Sequence, residues 1–258
     1  ALAIWIKSGT IYEKENEQGM SHFIEHMLFK GTKSLDESDI SDIADSLGGG
    51  LNAYTTKEYT CVVIRTLGEY TGNAFELISD MVLNSVFDKS DIEKEKGVVL
   101  SEISSSQDSP ENTVHELIHN TVFEGSPVGR PILGTAESVS DFKAENILNY
   151  YNRRYTGDNI VISAAGNFDG ESFISSAEKK FGGLKPSKEN KIIMPDIYIP
   201  GKKVFVNRDI RQTHICLAFP GISRDSVLKY PYMVFNAIFG EGINSVLFKT
   251  LRKEGLVY

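Results

Sequence analysis

Apolar and polar positions alternate with two different periods along this chain. Residues 1–7, opening Ala-Leu-Ala-Ile-Trp-Ile, read as a strand. Residues 22–29 read as a helix stopped near Gly31, and residues 40–47 as a second helix ended by Gly48, Gly49 and Gly50. Residues 52–67, rich in Thr, Val, Ile and Tyr, read as strand. Helical periodicity returns at 91–105, 111–123 and 172–181, with a short apolar strand at 159–166. The predicted class is therefore α+β, a largely antiparallel sheet packed with helices.

Pattern and composition both change near residue 185. The stretch 185–203 contains Pro186, Pro195 and Pro200 among lysines and has little periodicity. Residues 189–200 are taken as a linker after a first domain, 1–188. Beyond it a strand (213–219), an apolar stretch (232–239) and Gly240-Glu241-Gly242 repeat the order of the opening strand, first helix and Gly31. Residues 201–258 thus read as the start of a second, related domain. In that alignment Met233, Asn236 and Ala237 stand where the first copy has His22, Glu25 and His26, so the second copy has no metal site. The chain opens inside a strand-like run and reads as a fragment trimmed at both ends.

The net charge of −8 argues against nucleic acid as a partner. No apolar run is long enough to span a membrane. The two cysteines, Cys61 and Cys216, fall in strand-like runs and read as buried thiols, which favours a reducing, cytoplasmic setting.

The chemistry concentrates in His22-Phe23-Ile24-Glu25-His26, an H-x-x-E-H motif. On a helix these three polar residues fall within about 100° of arc, while Phe23, Ile24, Met27 and Leu28 face the other way. Histidines one turn apart hold one Zn²⁺, and a glutamate beside them reaches a water without being a ligand. The competing reading is two histidines on a solvated helix face. Glu95 and Glu102 tip the balance, because they align two turns apart on another helix, flanked by Ile92, Val98 and Val99. Carboxylates on an apolar stripe need partners. Glu102 is assigned as the third ligand and Glu95 as the group that orients a ligand.

A second motif, His115-Glu116-Leu117-Ile118-His119, has the H-E-x-x-H form of other zinc peptidases. Its extended version fails, because Val122 and Gly125 occupy the required glycine and histidine positions. Glu137 or Glu145 would have to serve as its third ligand, without supporting context. These histidines read as structural, as does His214 in the predicted strand.

The run from Gly19 through the H-x-x-E-H motif to Thr32 resembles the signature of the pitrilysin family, which includes insulin-degrading enzyme and the mitochondrial processing peptidases. The resemblance continues at Gly49-Gly50-Leu51-Asn52-Ala53-Tyr54-Thr55, at Glu93 to Glu102, and at Gly129 to Thr135, and covers essentially the whole chain. The bacterial processing-protease-like branch, with two related halves, is the nearest in pattern. The resemblance implies a zinc metalloendopeptidase acting on peptides or on unfolded, presequence-like segments, with one Zn²⁺ per chain and Glu25 as base. It implies an edge strand at Asn52 and Ala53 that pairs with the peptide. It also implies an arginine and a tyrosine from the second half. Arg252 and Tyr258 are the matching residues, one position closer together than the family pattern. The partners so implied are a peptide substrate, the missing second half of the same chain, and a second copy in a homodimer. The alternatives are a non-catalytic peptide-binding or scaffold subunit and a zinc-stabilised structural domain. The intact ligand set speaks against the first, and Glu25 beside a three-ligand site against the second.

Overall fold

A computed structural model describes residues 1–187 and 201–255. Four strands, β1 (Leu2–Ile6), β2 (Asn52–Thr55), β3 (Thr60–Ile64) and β4 (Ile160–Ala164), form one antiparallel sheet in the order β2-β3-β1-β4. The helices are α1 (Met20–Met27), α2 (Glu37–Ser46), α3 (Thr71–Asn84), α4 (Lys89–Asp108), α5 (Pro110–Val122), α6 (Ala136–Ser140), α7 (Ala144–Arg154), α8 (Gly170–Phe181), α9 (Lys229–Phe239) and α10 (Val246–Lys253). The α+β class follows. No helix among the described residues is long and apolar enough to cross a membrane.

The register sorts the strands into two faces. Ile4 pairs with Val62 on one side and with Ile162 on the other, and Leu2 with Ile64 and Ala164. These residues share the inner face, where Leu2, Ile4, Ile6, Val62 and Ile64 are buried against α1 and α3. The helix α3 contributes Phe75, Ile78, Met81 and Val82, and α1 contributes Phe23, Ile24, Met27 and Leu28. At roughly 1.5–3 kcal/mol for each large side chain buried, this cluster is what fixes α1 on the sheet.

Three expectations are corrected. The stretch 52–67 is not one strand but a hairpin, β2 and β3, closed by residues 56–59. No glycine or proline marks that turn. Instead the Thr56 hydroxyl accepts from the amides of Glu58 and Tyr59 at 3.2 and 3.1 Å, while the Thr56 amide donates to the Tyr59 carbonyl at 2.8 Å. The predicted strand at 213–219 is irregular. Ile215, Leu217 and Phe219 are 75, 77 and 80% exposed, and no ladder partner lies beside them among the described residues. His214 and Cys216 accordingly lie outside any strand, and Cys216 is half-buried. Cys61 is a buried, unpaired thiol in β3, as expected.

The helices α3, α6, α7 and α10 were not expected from periodicity. Contacts divide the chain into two compact units after Cys216. In the second, α10 is capped by Ser245, whose hydroxyl accepts from the Phe248 amide at 3.2 Å. The linker assigned to 189–200 lies outside the described residues.

Candidate metal centre

The helix carrying the motif begins at Gly19, whose φ of 86° lies in the left-handed region. A Cβ there would stand 2.5 Å from the Leu133 carbonyl oxygen, so glycine is required twice over. Gly19 has no side chain with which to cap the helix, and Glu13 supplies the cap from outside. Its two carboxyl oxygens accept from the amides of Gly19 (2.9 Å) and Ser21 (2.8 Å). The Ser21 hydroxyl in turn meets the buried Tyr150 hydroxyl at 2.8 Å. Burial pushes the Glu13 carboxyl up to about 7, against the opposing pull of its hydrogen bonds to Ser21 and Gly19.

With its apolar side locked into the core, α1 turns His22 and Glu25 toward a cleft of about 650 Å³ that Glu102 also lines. His22 and His26 lie with their Nε2 atoms 3.2 Å apart. From α4, Glu102 brings Oε2 to 3.7 Å from His22 Nε2 and 3.6 Å from His26 Nε2. Among the described residues this is the one set of three such side chains close enough to share an ion. Tetrahedral zinc with bonds of about 2.0–2.2 Å needs ligand atoms about 3.3–3.6 Å apart. The three separations fall within about 0.1 Å of that range, so the donor set fits zinc with one coordination position open.

Protonation agrees with that use. Glu95, buried on α4, lies 2.7 Å from His26 Nδ1. The carboxylate fixes the proton on Nδ1, so the Nε2 lone pair points at Glu102 and His22. Burial, and then the neighbouring His26, hold His22 down to about 4, so its imidazole is neutral near pH 7. Two facing Nε2 lone pairs are repulsive unless a cation or a proton lies between them.

Glu25 stands on the same face. Its Oε2 is buried and has no hydrogen-bond partner. Burial raises its pKa, opposed by a hydrogen bond from Thr55 and by His26. A carboxylate with an unpartnered oxygen in a cleft, beside a ligand set, is placed to accept a proton.

The other predicted residues fall as follows. Asn52 and Ala53 lie on β2, the edge strand beside α1. Arg252 is exposed in α10 of the second unit, its guanidinium 5.1 Å from the Phe248 ring centroid. Tyr258 lies outside the described residues. The H-E-x-x-H motif lies on α5, and His115, Glu116 and His119 line the same cleft as His22 and Glu25. No third ligand among the described residues joins them, Glu137 and Glu145 included.

Sequence reasoning missed three participants. Thr55 bonds Glu25, and alternation along β2 places it on the same face as Ala53. Lys30 reaches Glu95 Oε2 at 3.1 Å and Glu37 at 2.9 Å. Its i+4 spacing from His26 is the signal that would have found it. Glu13 acts across a loop and left no local signal.

A family model described as insulinase, peptidase family M16, matches residues 1–136, and one described as the peptidase M16 inactive domain matches residues 141–258. The chain belongs to this peptidase family. Over its whole length it is 36% identical to a Bacillus subtilis protein named as a zinc protease, covering 63% of that relative. A Streptomyces coelicolor protein also named as a zinc protease is 34% identical, with 58% of it covered. Over 74% of this chain, the beta subunit of the mitochondrial-processing peptidase of Dictyostelium discoideum is 36% identical, with 41% of that subunit covered. The chain thus spans less than two thirds of these relatives. Among solved structures, a protease from Helicobacter pylori superposes with a TM-score of 0.85 at 20% identity, covering 99% of this chain and 63% of that one. An M16 inactive-domain structure from Pseudomonas fluorescens gives a TM-score of 0.81 at 18% identity, over 98% of this chain and 62% of that one. At these identities the likeness is one of fold.

Proposed function

We propose that the full-length protein is a zinc-dependent metalloendopeptidase that hydrolyses peptides or unfolded, presequence-like segments. The observation that carries this reading is the convergence of His22, His26 and Glu102 beside Glu25, whose buried oxygen has no partner. His22, His26 and Glu102 hold one Zn²⁺ per chain. When bound, the ion supplies Lewis acidity, making water easier to deprotonate and a carbonyl easier to attack.

The chain's own residues do the rest. Glu25 takes a proton from the attacking water and later passes one to the leaving amine. Thr55 holds one side of that carboxylate, and Glu95 holds the His26 ring. The edge of β2 at Asn52 and Ala53, unpaired among the described residues, pairs with an extended peptide through main-chain hydrogen bonds. Residues 201–258 begin a second, related half without a metal site. The position of Met233, Asn236 and Ala237 on α9 supports this, as does the description of the second matching family model. A homodimer is the oligomer proposed.

The relatives named as zinc proteases support catalysis over a non-catalytic scaffold subunit. The test is zinc content by elemental analysis, together with digestion of a peptide library with and without a chelator. Zinc near one per chain and chelator-sensitive cleavage are expected. Chelator-resistant cleavage would contradict the reading.

A further inference from the structure

The cleft extends beyond the metal ligands to a second group of polar side chains: Lys57 in the β2–β3 turn, and His115, Glu116, His119 and Asn120 on α5. Lys57 stands out among them. It is half-buried, and its ammonium donates to the backbone carbonyl of Arg130. The turn that carries it is fixed as well, because the Lys57 carbonyl accepts from the Ile11 amide at 3.1 Å. Yet Lys57 forms no ion pair among the described residues. Glu13, nearby, has both oxygens occupied by the amides of Gly19 and Ser21. Glu116 is exposed on α5. Glu116 and Glu13 attract the ammonium from a distance, but its direct partner is a neutral carbonyl, so the hydration lost on half-burial is only partly replaced. Burial accordingly holds the ammonium below the usual lysine range.

We propose that Lys57 is a carboxylate-recognising residue of this cleft, selecting peptides with an acidic side chain or a chain-terminal carboxylate close to the bond to be cut. The place follows from the strand. Thr55, which bonds Glu25, marks the level of the reacting groups on β2, and Lys57 lies two residues further on. The hairpin turn then carries Lys57 onto the wall of the cleft that Glu25 and Thr55 also line. Because Glu25 and Lys57 line one cleft, a peptide laid along β2 with its scissile bond at Glu25 brings a neighbouring residue toward Lys57. A carboxylate there supplies the direct ion pair that Lys57 lacks among the described residues and makes a charge-assisted hydrogen bond. His119, whose pKa is lowered first by burial and then by Lys57, lines the same cleft.

The inference takes its ligand from the reading above, as a peptide and not as a basic presequence-like segment, so its test avoids cleavage. Short fluorescein-labelled peptides carrying Glu, Gln or Lys at each position in turn, with free or amidated C-termini, are titrated into full-length, zinc-loaded Glu25→Gln protein. Binding is read as fluorescence anisotropy. At one position Glu should bind about 10-fold tighter than Gln, or the free acid about 10-fold tighter than the amide. The first result identifies a side chain as the source of the carboxylate, the second the terminus. The ratio should fall to near one in Lys57→Met and survive in Lys57→Arg. Should Lys57→Met fail to fold, Lys57→Gln gives the same comparison. Ratios near one at every position, absence of peptide binding, tighter binding of lysine peptides, or a ratio unchanged in the neutral variants would each overturn the assignment. Wild-type protein that shows the ratio but cleaves none of the peptides would support this site and contradict the peptidase reading.

Discussion

His26 Nδ1 and Glu95 Oε1 stand 2.7 Å apart, with Glu95 almost fully buried and its other oxygen 3.1 Å from the Lys30 ammonium. The imidazole tautomer is set by this contact. Glu95→Gln should leave the three ligands in place and weaken zinc binding by about 10- to 100-fold. Competition with a chromogenic chelator measures this, and an unchanged affinity would show that Glu95 is only packed against the ring.

His22→Ala and His26→Ala should each abolish stoichiometric zinc, while His115→Ala should retain it. The α5 histidines line the cleft without a third ligand among the described residues, so only the α1 pair is expected to matter for the metal. Elemental analysis of the purified variants decides between the two motifs. Zinc kept by His26→Ala and lost by His115→Ala would reverse the assignment.

Gly19→Ala and Gly97→Ala should move stability in opposite directions. At Gly19 the positive φ and the Leu133 carbonyl both oppose a Cβ, so the variant should lose at least ~1 kcal/mol in urea unfolding. Gly97 lies inside α4, where a Cβ meets nothing within 4 Å, and alanine there should gain ~0.5–1 kcal/mol. Equal destabilisation of both would contradict the described start of α1.

Glu13 makes stability depend on pH. Its carboxyl titrates at about 7 in the folded chain against an ordinary value of 4.5. The folded state therefore keeps a proton that the unfolded state releases. This contribution is fully present below about 4.5 and is lost as pH rises through about 7. Metal-free protein should grow less stable across that window, and Glu13→Gln should flatten the slope. Parallel curves for the two proteins would show that Glu13 does not titrate there.

The site was legible in the sequence where local periodicity governs it. His22, Glu25 and His26 share a helical face by spacing alone, and Glu95 and Glu102 align two turns apart on α4. Participants brought in by long-range packing were not legible. Glu13 caps α1 from a preceding loop, and Lys57 reaches the cleft through a hairpin turn. That turn escaped notice because a threonine hydroxyl, not glycine or proline, closes it. In the fold, the period-2 pattern at 213–219 suggested a strand, but alternation makes a strand only where a neighbour offers a ladder. Asn52 and Ala53 came from resemblance, and only the topology put them on an edge strand.

Glu25 is the proposed base beside an intact ligand set, and Glu25→Gln in the full-length protein is the decisive variant. The variant should fold, hold zinc near one per chain by elemental analysis, and cleave a quenched fluorescent peptide at least ~10²-fold more slowly than wild type. Cleavage at the wild-type rate with zinc retained would contradict the account.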